Sequence, residues 1–176
     1  YLSSVKAAKD SVAGVLTEND QPTPVTPYGK SKLMAEEHIL KNLPTNHKRV
    51  YILRPCMIHG PGNKGNMNLL YGFASKGLPY PMAAYQNQRS FLSVDNLSFV
   101  IKELLLNKVP SGVYNVADDQ ALSTNQVIEL MAHSLNTKPK LLAVPKNIIN
   151  TIARMGDHLK LPINTERLNK MTENYV

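Results

Sequence analysis

Long apolar runs are missing from this chain. No stretch of about 18 residues is apolar enough to span a bilayer, which excludes a transmembrane helix, and the first residues lack signal-peptide character. Cysteine is nearly absent too. The single one, Cys56, rules out an internal disulfide and fits a reducing, cytoplasmic setting. Its place at the end of an apolar stretch reads as a buried, inert thiol. The histidines His38, His47, His59, His133 and His158 are scattered, with no Cys/His cluster at metal-ligand spacing. Acidic residues are scarce: 13 Asp and Glu against 20 Lys and Arg leave a net charge of +7. The basic residues run from Lys6, Lys9, Lys30, Lys32, Lys41, Lys48 and Arg49 onward without forming a stripe, and few aromatics interleave. That pattern ranks a nucleic-acid surface behind a ligand carrying a diphosphate. No internal repeat, low-complexity tract or linker breaks the chain, and 176 residues at 43% hydrophobic suffice for a core.

What is there begins with Tyr28-Gly29-Lys30-Ser31-Lys32. Thr26 reads as a helix N-cap and Pro27 as the first helical residue. Leu33, Met34, Ile39 and Leu40 recur at helical spacing, and Pro44 stops the run. Residues four apart share a helix face, so the Tyr28 hydroxyl and the Lys32 ammonium can point into one space. A free phenol has a pKa of ~10 and is a poor base at neutral pH. A cation at ~4 Å is worth about 1 kcal/mol in water but about 4 kcal/mol at an effective dielectric of about 20. The larger figure amounts to about 3 pKa units. The pair makes sense as a base and its tuner in a partly closed site. The same spacing is common on solvated helix faces, so the surroundings decide.

Upstream, Leu2-Ser3-Ser4 is an apolar-to-serine step at a strand end. Downstream, Val50-Tyr51-Ile52-Leu53-Arg54-Pro55 reads as a buried strand ended by proline, followed by a Gly60-Pro61-Gly62 loop. Asn66 to Lys76 reads as a helix closed by Gly77, and Ser90 to Val94 as a short strand. Asp95 reads as the cap of a helix through Leu106, with Leu97, Val100, Ile101, Leu104 and Leu105 on one face. Val113 to Val116 is a strand, Ser123-Thr124 starts a helix through Leu135, and Lys140 to Val144 is another strand. Pro145 begins a helix through about Met155, and Thr165 to Met171 is a last short one. Strands alternating with helices argue for an α/β protein.

A serine at a strand end, then Tyr-x-x-x-Lys, then Leu53-Arg54-Pro55 before Gly60-Pro61-Gly62, resembles the extended short-chain dehydrogenase/reductase family. Within it the chain is similar to NAD-dependent nucleotide-sugar epimerases and dehydratases. Asn87-Gln88-Arg89-Ser90-Phe91-Leu92-Ser93-Val94-Asp95-Asn96-Leu97 and Gly112-Val113-Tyr114-Asn115-Val116-Ala117 extend the likeness. The resemblance covers nearly the whole chain but only the second half of a family member. It implies the C-terminal portion of a Rossmann fold, with its last parallel strands and a small α/β substrate-binding lobe, the N-terminal dinucleotide-binding half being absent. Residues 1–60 would be the remaining Rossmann part and 61–176 mainly the substrate lobe, interleaved with further Rossmann elements. Losing the early strands would leave Val50–Leu53 with an unpaired edge. Gly60-Pro61-Gly62-Asn63-Lys64-Gly65 satisfies G-x-G-x-x-G, but no acidic residue follows about 20 positions on. Pro61 also removes an amide from any phosphate cradle, so the loop is assigned to the substrate side.

The resemblance implies roles as well. Tyr28 would take the proton from a sugar hydroxyl as hydride leaves for NAD, Lys32 would bind the nicotinamide ribose, and Ser4 would hold the reacting oxygen, a one-residue slip to Ser3 being the alternative. Pro55 and Cys56 would approach the nicotinamide through backbone atoms. Asn66 and Arg89 would meet the nucleotide diphosphate, as Arg167 would in a second contact. Met57 stands where 4-epimerases carry a substrate-side asparagine, which leaves the sugar open. The implied activity is that of a UDP-sugar 4-epimerase with a transient 4-keto sugar, in a cytoplasmic homodimer of polysaccharide assembly. The run from Gly65-Asn66 to Pro79 looks nearest to epimerases of UDP-N-acetylated sugars. A 4,6-dehydratase or 4-keto-sugar reductase is the same-chemistry alternative. Val5 and Lys6 follow Ser4 where dehydratases carry Asp-Glu, which counts against dehydration. A non-catalytic binding protein of the same fold is the alternative of another class.

Overall fold

The structure, a computed structural model, describes residues 1–42, 48–62, 66–159 and 164–176, the side chain of Asn66 aside. Its elements are a 3₁₀ turn Val5–Ala7, α1 (Pro27–Lys41), β1 (Tyr51–Pro55), β2 (Met57–His59), α2 (Asn66–Ser75), β3 (Phe91–Ser93), α3 (Val94–Leu106), β4 (Gly112–Val116), α4 (Thr124–Ser134), α5 (Lys146–Leu159) and α6 (Thr165–Thr172). Both strand ladders are parallel, as the alternation of strands and helices requires. The chain forms two compact units. One comprises Tyr1–Pro61, Ser90–Ala121 and Tyr175–Val176, the other Gly62–Arg89 and Leu122–Asn174.

The first unit is built on β1, whose Ile52, Leu53, Arg54 and Pro55 are all buried, as in a parallel strand covered on both faces. It pairs with β4 from Tyr51 opposite Gly112 to Pro55 opposite Val116. On its other side the Leu53 amide donates to the Tyr1 carbonyl at 2.9 Å and the Ser3 amide to the Leu53 carbonyl at 2.7 Å. The strand is therefore flanked on both sides, which corrects the expectation of an unpaired edge along Val50–Leu53. Pro55 has no amide, yet pairing resumes at once: the Cys56 amide donates to the Val116 carbonyl at 3.1 Å. The chain then enters β2, which pairs with β3 from Met57 opposite Phe91 to His59 opposite Ser93. The sequence did not foretell β2, because proline there reads as a stop.

Leu53, Leu92, Leu97 and Val116 form the buried centre, with Ile58, Val100 and Leu104 packed against it. The apolar face expected of α3 thus splits. Ile101 and Leu105 instead line an open groove of about 360 Å³ with Tyr1, Leu2, Tyr51 and Leu53. The cap of α3 is Ser93, whose side chain accepts from the Asn96 amide at 3.0 Å. Asp95 lies two residues past the cap, within the first turn, where its charge meets the helix dipole, and the strand is Phe91–Ser93 instead of Ser90 to Val94.

In the second unit, α2 ends in a Schellman turn. Gly77 at φ +59° donates to the Ala74 carbonyl and Leu78 to the Phe73 carbonyl. Ser123 and Gln126 close a capping box at the start of α4. Helix α2 packs on α4, and α5 on α6. Tyr80 is buried to 1% exposure, with the Phe73 ring edge-on at 5.6 Å. Lys140 to Val144 is not a regular strand. It meets Tyr80–Ala83 through the isolated bridges Tyr80–Leu141, parallel, and Met82–Ala143, antiparallel, and two bridges of opposite sense make no ladder. Helix α5 runs on to Leu159, four residues past Met155.

Candidate active site

Two devices seat α1 in the first unit. At its N-terminus Thr26 caps the Gly29 amide at 3.1 Å. The Asp10 carboxylate in turn accepts from the Val25 amide at 2.6 Å, the Thr26 amide at 3.0 Å and the Thr26 hydroxyl at 2.7 Å. Burial works to raise the Asp10 carboxyl, but these hydrogen bonds and the Lys6 charge outweigh it and hold it below the usual carboxylate range. A Cβ on Gly29 would stand 2.4 Å from the Lys6 carbonyl oxygen and 2.8 Å from the Pro24 Cβ. Only glycine lets the first turn of α1 close on the 3₁₀ turn that follows Ser4.

The second device is ionic. Glu36, 1% exposed, receives the Arg54 guanidinium from β1 in a forked contact, Nε at 3.0 Å and Nη2 at 2.5 Å. The Ser3 hydroxyl donates to the same carboxylate. Apart from Gly29, Glu36 is the buried residue of α1, while Met34 is 69% and Leu40 43% exposed. The apolar repeat therefore does not mark the docking face; the charged pair does. Tyr28, Lys32 and Glu36 recur every four residues, so one stripe of α1 runs from solvent to the buried pair. Sequence reading missed this network. Its signals were an arginine inside an apolar strand, which burial obliges to have a partner, and a glutamate one turn past Lys32.

The network leaves the two serines different tasks. Ser3, buried, is committed to Glu36. Ser4, half-buried, caps the 3₁₀ turn by accepting from the Lys6 amide at 3.2 Å, which leaves its proton to donate. Lys32 Nζ donates to the Leu2 carbonyl at 3.2 Å and stands 5.9 Å from the centre of the Tyr28 ring and 5.4 Å from that of Tyr1. The Tyr28 ring is 54% exposed. Ser4, Tyr28 and Lys32 thus belong to segments that the Asp10 and Glu36 contacts fasten together. Pro55 ends β1, Cys56 is tied to β4 through its amide, and Met57, half-buried, opens β2.

These residues fit one end of a nicotinamide dinucleotide, with an ammonium for the ribose hydroxyls beside a phenol. The glycine loop does not supply the other end. A Cβ on Gly60 would strike Val94 Cγ1 at 2.6 Å, so that glycine serves close packing on α3. Residues 63–65 of the motif lie outside the described residues. Among the described residues no group of three or more His, Cys, Asp and Glu could hold a metal ion, and no helix is long and apolar enough to cross a membrane.

The other expected residues lie in the second unit. Arg89 exchanges backbone hydrogen bonds with Leu122 at 3.0 and 2.9 Å. Its Nη1 donates to the Lys170 carbonyl at the end of α6, and Nη2 is 3.6 Å from the Glu173 carboxylate. Arg167 is exposed on α6, its amide donating to Asn164, the cap, at 2.9 Å. Asn66 opens α2, and its side chain lies outside the described residues. Asn87, 2% exposed, was read only as part of a signature. It is a hub that donates to Thr124 Oγ1 at 3.0 Å and the Met171 carbonyl at 3.2 Å, and it accepts from the Thr124 amide at 3.0 Å.

Residues 9–171 match the RmlD substrate binding domain family. The UDP-glucose 4-epimerase of Vibrio cholerae is 31% identical over 149 residues, 82% of this chain and 45% of that protein. The N-acetyl-alpha-D-glucosaminyl-diphospho-ditrans,octacis-undecaprenol 4-epimerase of Escherichia coli O157:H7 is 34% identical over 132 residues, 73% of this chain and 40% of that protein. The structure of RMD from Pseudomonas aeruginosa complexed with NADPH aligns with a TM-score of 0.67 at 27% identity, over 81% of this chain and 52% of that one. The chain thus spans less than half the length of these curated relatives.

Proposed function

The chain belongs to the RmlD substrate binding domain family, and from that premise we propose that it is the C-terminal half of a nicotinamide-dependent 4-epimerase acting on a UDP-sugar. The first unit is then the remainder of the dinucleotide-binding domain, and the second the sugar-nucleotide lobe. The observation that carries this reading is Lys32, its ammonium beside the Tyr28 ring and anchored on the carbonyl of Leu2, which stands two residues before Ser4. The two curated relatives are named for substrates that share a sugar diphosphate, which supports the substrate class.

Lys32 and backbone at Pro55 and Cys56 would hold a nicotinamide dinucleotide, which would supply the hydride acceptor and donor for the sugar C4. Tyr28 removes the proton of the C4 hydroxyl as its C–H bond breaks, leaving a 4-keto sugar. It returns that proton to the oxygen once the sugar presents its other face. Lys32 keeps its ammonium beside the Tyr28 ring. Ser4 donates to the C4 oxygen and so holds it in line with Tyr28.

Arg89 is assigned to the diphosphate, with Asn66 and Arg167 as further contacts. The reading is tested by following interconversion of C4-epimeric UDP-hexoses by NMR in the complete enzyme; turnover to a dehydrated or reduced sugar instead would overturn it. In the same assay Arg89→Ala is expected to raise the KM about 10–100-fold, the worth of a charged hydrogen bond. Glu173→Gln, which removes the competing carboxylate, is expected to leave the KM unchanged or lower it. An unchanged KM in Arg89→Ala removes Arg89 from the site.

A further inference from the structure

Helix α5 carries two apolar stripes, and only one of them is used. Ile149, Ala153 and Gly156 are buried. Ile148, Ile152, Met155 and Leu159 are 51%, 45%, 56% and 63% exposed. At 3.6 residues per turn these four fall within about 60° of one another, a continuous aliphatic ridge. Lys146, Asn147, Asn150, Thr151, Arg154, Asp157 and His158 take the rest of the helix. A helix this amphipathic, with as many polar as apolar residues, has the build of one that lies in a membrane interface.

Charge says what covers the ridge. The second unit carries ten Lys and Arg against four Asp and Glu, a net of +6, while the first carries ten against nine, a net of +1. Nearly all of the protein's excess charge is thus in the unit that bears the ridge. Three of the four acids are already engaged: Asp157 accepts from the Thr165 amide at 3.0 Å and its hydroxyl at 2.5 Å, Glu166 pairs with Lys170 at 2.5 Å, and Glu173 lies 3.6 Å from Arg89 Nη2. A second copy of the chain would bring two +6 bodies together. A nucleic acid would find an aliphatic ridge with no ring to stack on. The apolar groove of the first unit, by contrast, has no such charge bias.

We propose that the exposed ridge of α5 docks the protein on an anionic lipid bilayer, its aliphatic side chains seated among the headgroups and acyl chains while the net positive charge of the second unit draws it to the lipid phosphates. A net positive charge and a shallow apolar anchor reinforce each other at such a surface. The inference stands apart from the epimerase reading and survives its failure.

The test uses vesicles with and without phosphatidylglycerol. The protein is expected to co-sediment with phosphatidylglycerol vesicles and to leave them when salt is raised or phosphatidylcholine is substituted. Ile152→Asp and Met155→Asp are expected to weaken binding at least about tenfold, by placing a charge where apolar area was buried. Both residues are exposed, so the circular dichroism of these variants is expected to match the parent. The chain has no tryptophan, so Ile152→Trp reports directly: its emission is expected to shift to the blue on phosphatidylglycerol vesicles and to be quenched by brominated acyl chains. Three results overturn the proposal: no binding, binding that the α5 variants leave untouched, or a self-association in the absence of lipid that Ile152→Asp abolishes. Unmoved Ile152→Trp emission on bound protein does the same.

Discussion

Phenylalanine at position 28 is expected to lower the kcat of the complete enzyme about 10²–10⁴-fold, the range for losing a positioned acid–base group. The substitution removes one oxygen. The ring keeps its place because it is 54% exposed and belongs to no core cluster. The Lys32 ammonium keeps its anchor on the Leu2 carbonyl. Substrate binding is assigned to other residues, so the KM for the UDP-sugar is expected to stay within about threefold, the signature of an interaction made only in the transition state. Steady-state kinetics decide it. A kcat within a few-fold of the parent removes Tyr28 as the base.

The largest expected loss of stability comes from the pair beneath it. Arg54→Met leaves Glu36, 1% exposed, without its forked partner, and breaking one side of such a pair costs about 3–5 kcal/mol. The double variant Glu36→Leu with Arg54→Met removes both charges and is expected to cost less than Arg54→Met alone, so the two changes are far from additive. Urea unfolding of the four proteins measures the cycle. An Arg54→Met variant within about 1 kcal/mol of the parent contradicts the role given to the pair. The same substitution is expected to reduce activity as well, since Glu36 lies one turn past Lys32 and Ser3 adjoins Ser4.

How far the sequence reached depended on what each local signal encodes. Helix ends with a side-chain oxygen at the cap and proline at the first turn, such as Thr26-Pro27, were legible because the cap is a local hydrogen bond. Where two caps competed, locality was not enough. Ser93 and Asp95 both qualify, and the pairing of β3 with β2 decides for Ser93 by ending the strand there. The three-residue β2 and the bridged segment Tyr80–Ala83 depend on partners distant in the chain, so no periodicity announces them. The docking face of α1 was illegible for another reason: the pattern rule looks for apolar residues, and the face is set by Glu36 against Arg54. The candidate site rests on residue types at a spacing. Ser3 and Ser4 could be told apart only once the Glu36 carboxylate had claimed one of them.

The measurement that bears most directly on the account is the fate of the hydrogen at C4. A UDP-hexose deuterated at C4 is converted by the complete enzyme in ordinary water, and its epimer is examined by NMR and mass spectrometry. If Tyr28 moves only the hydroxyl proton while the C4 hydrogen leaves and returns as hydride within one closed site, the epimer keeps its deuterium at C4. Loss of that label to solvent at the rate of epimerisation would mean that C4 is deprotonated as an acid, and would contradict the roles assigned here to Ser4, Tyr28 and Lys32.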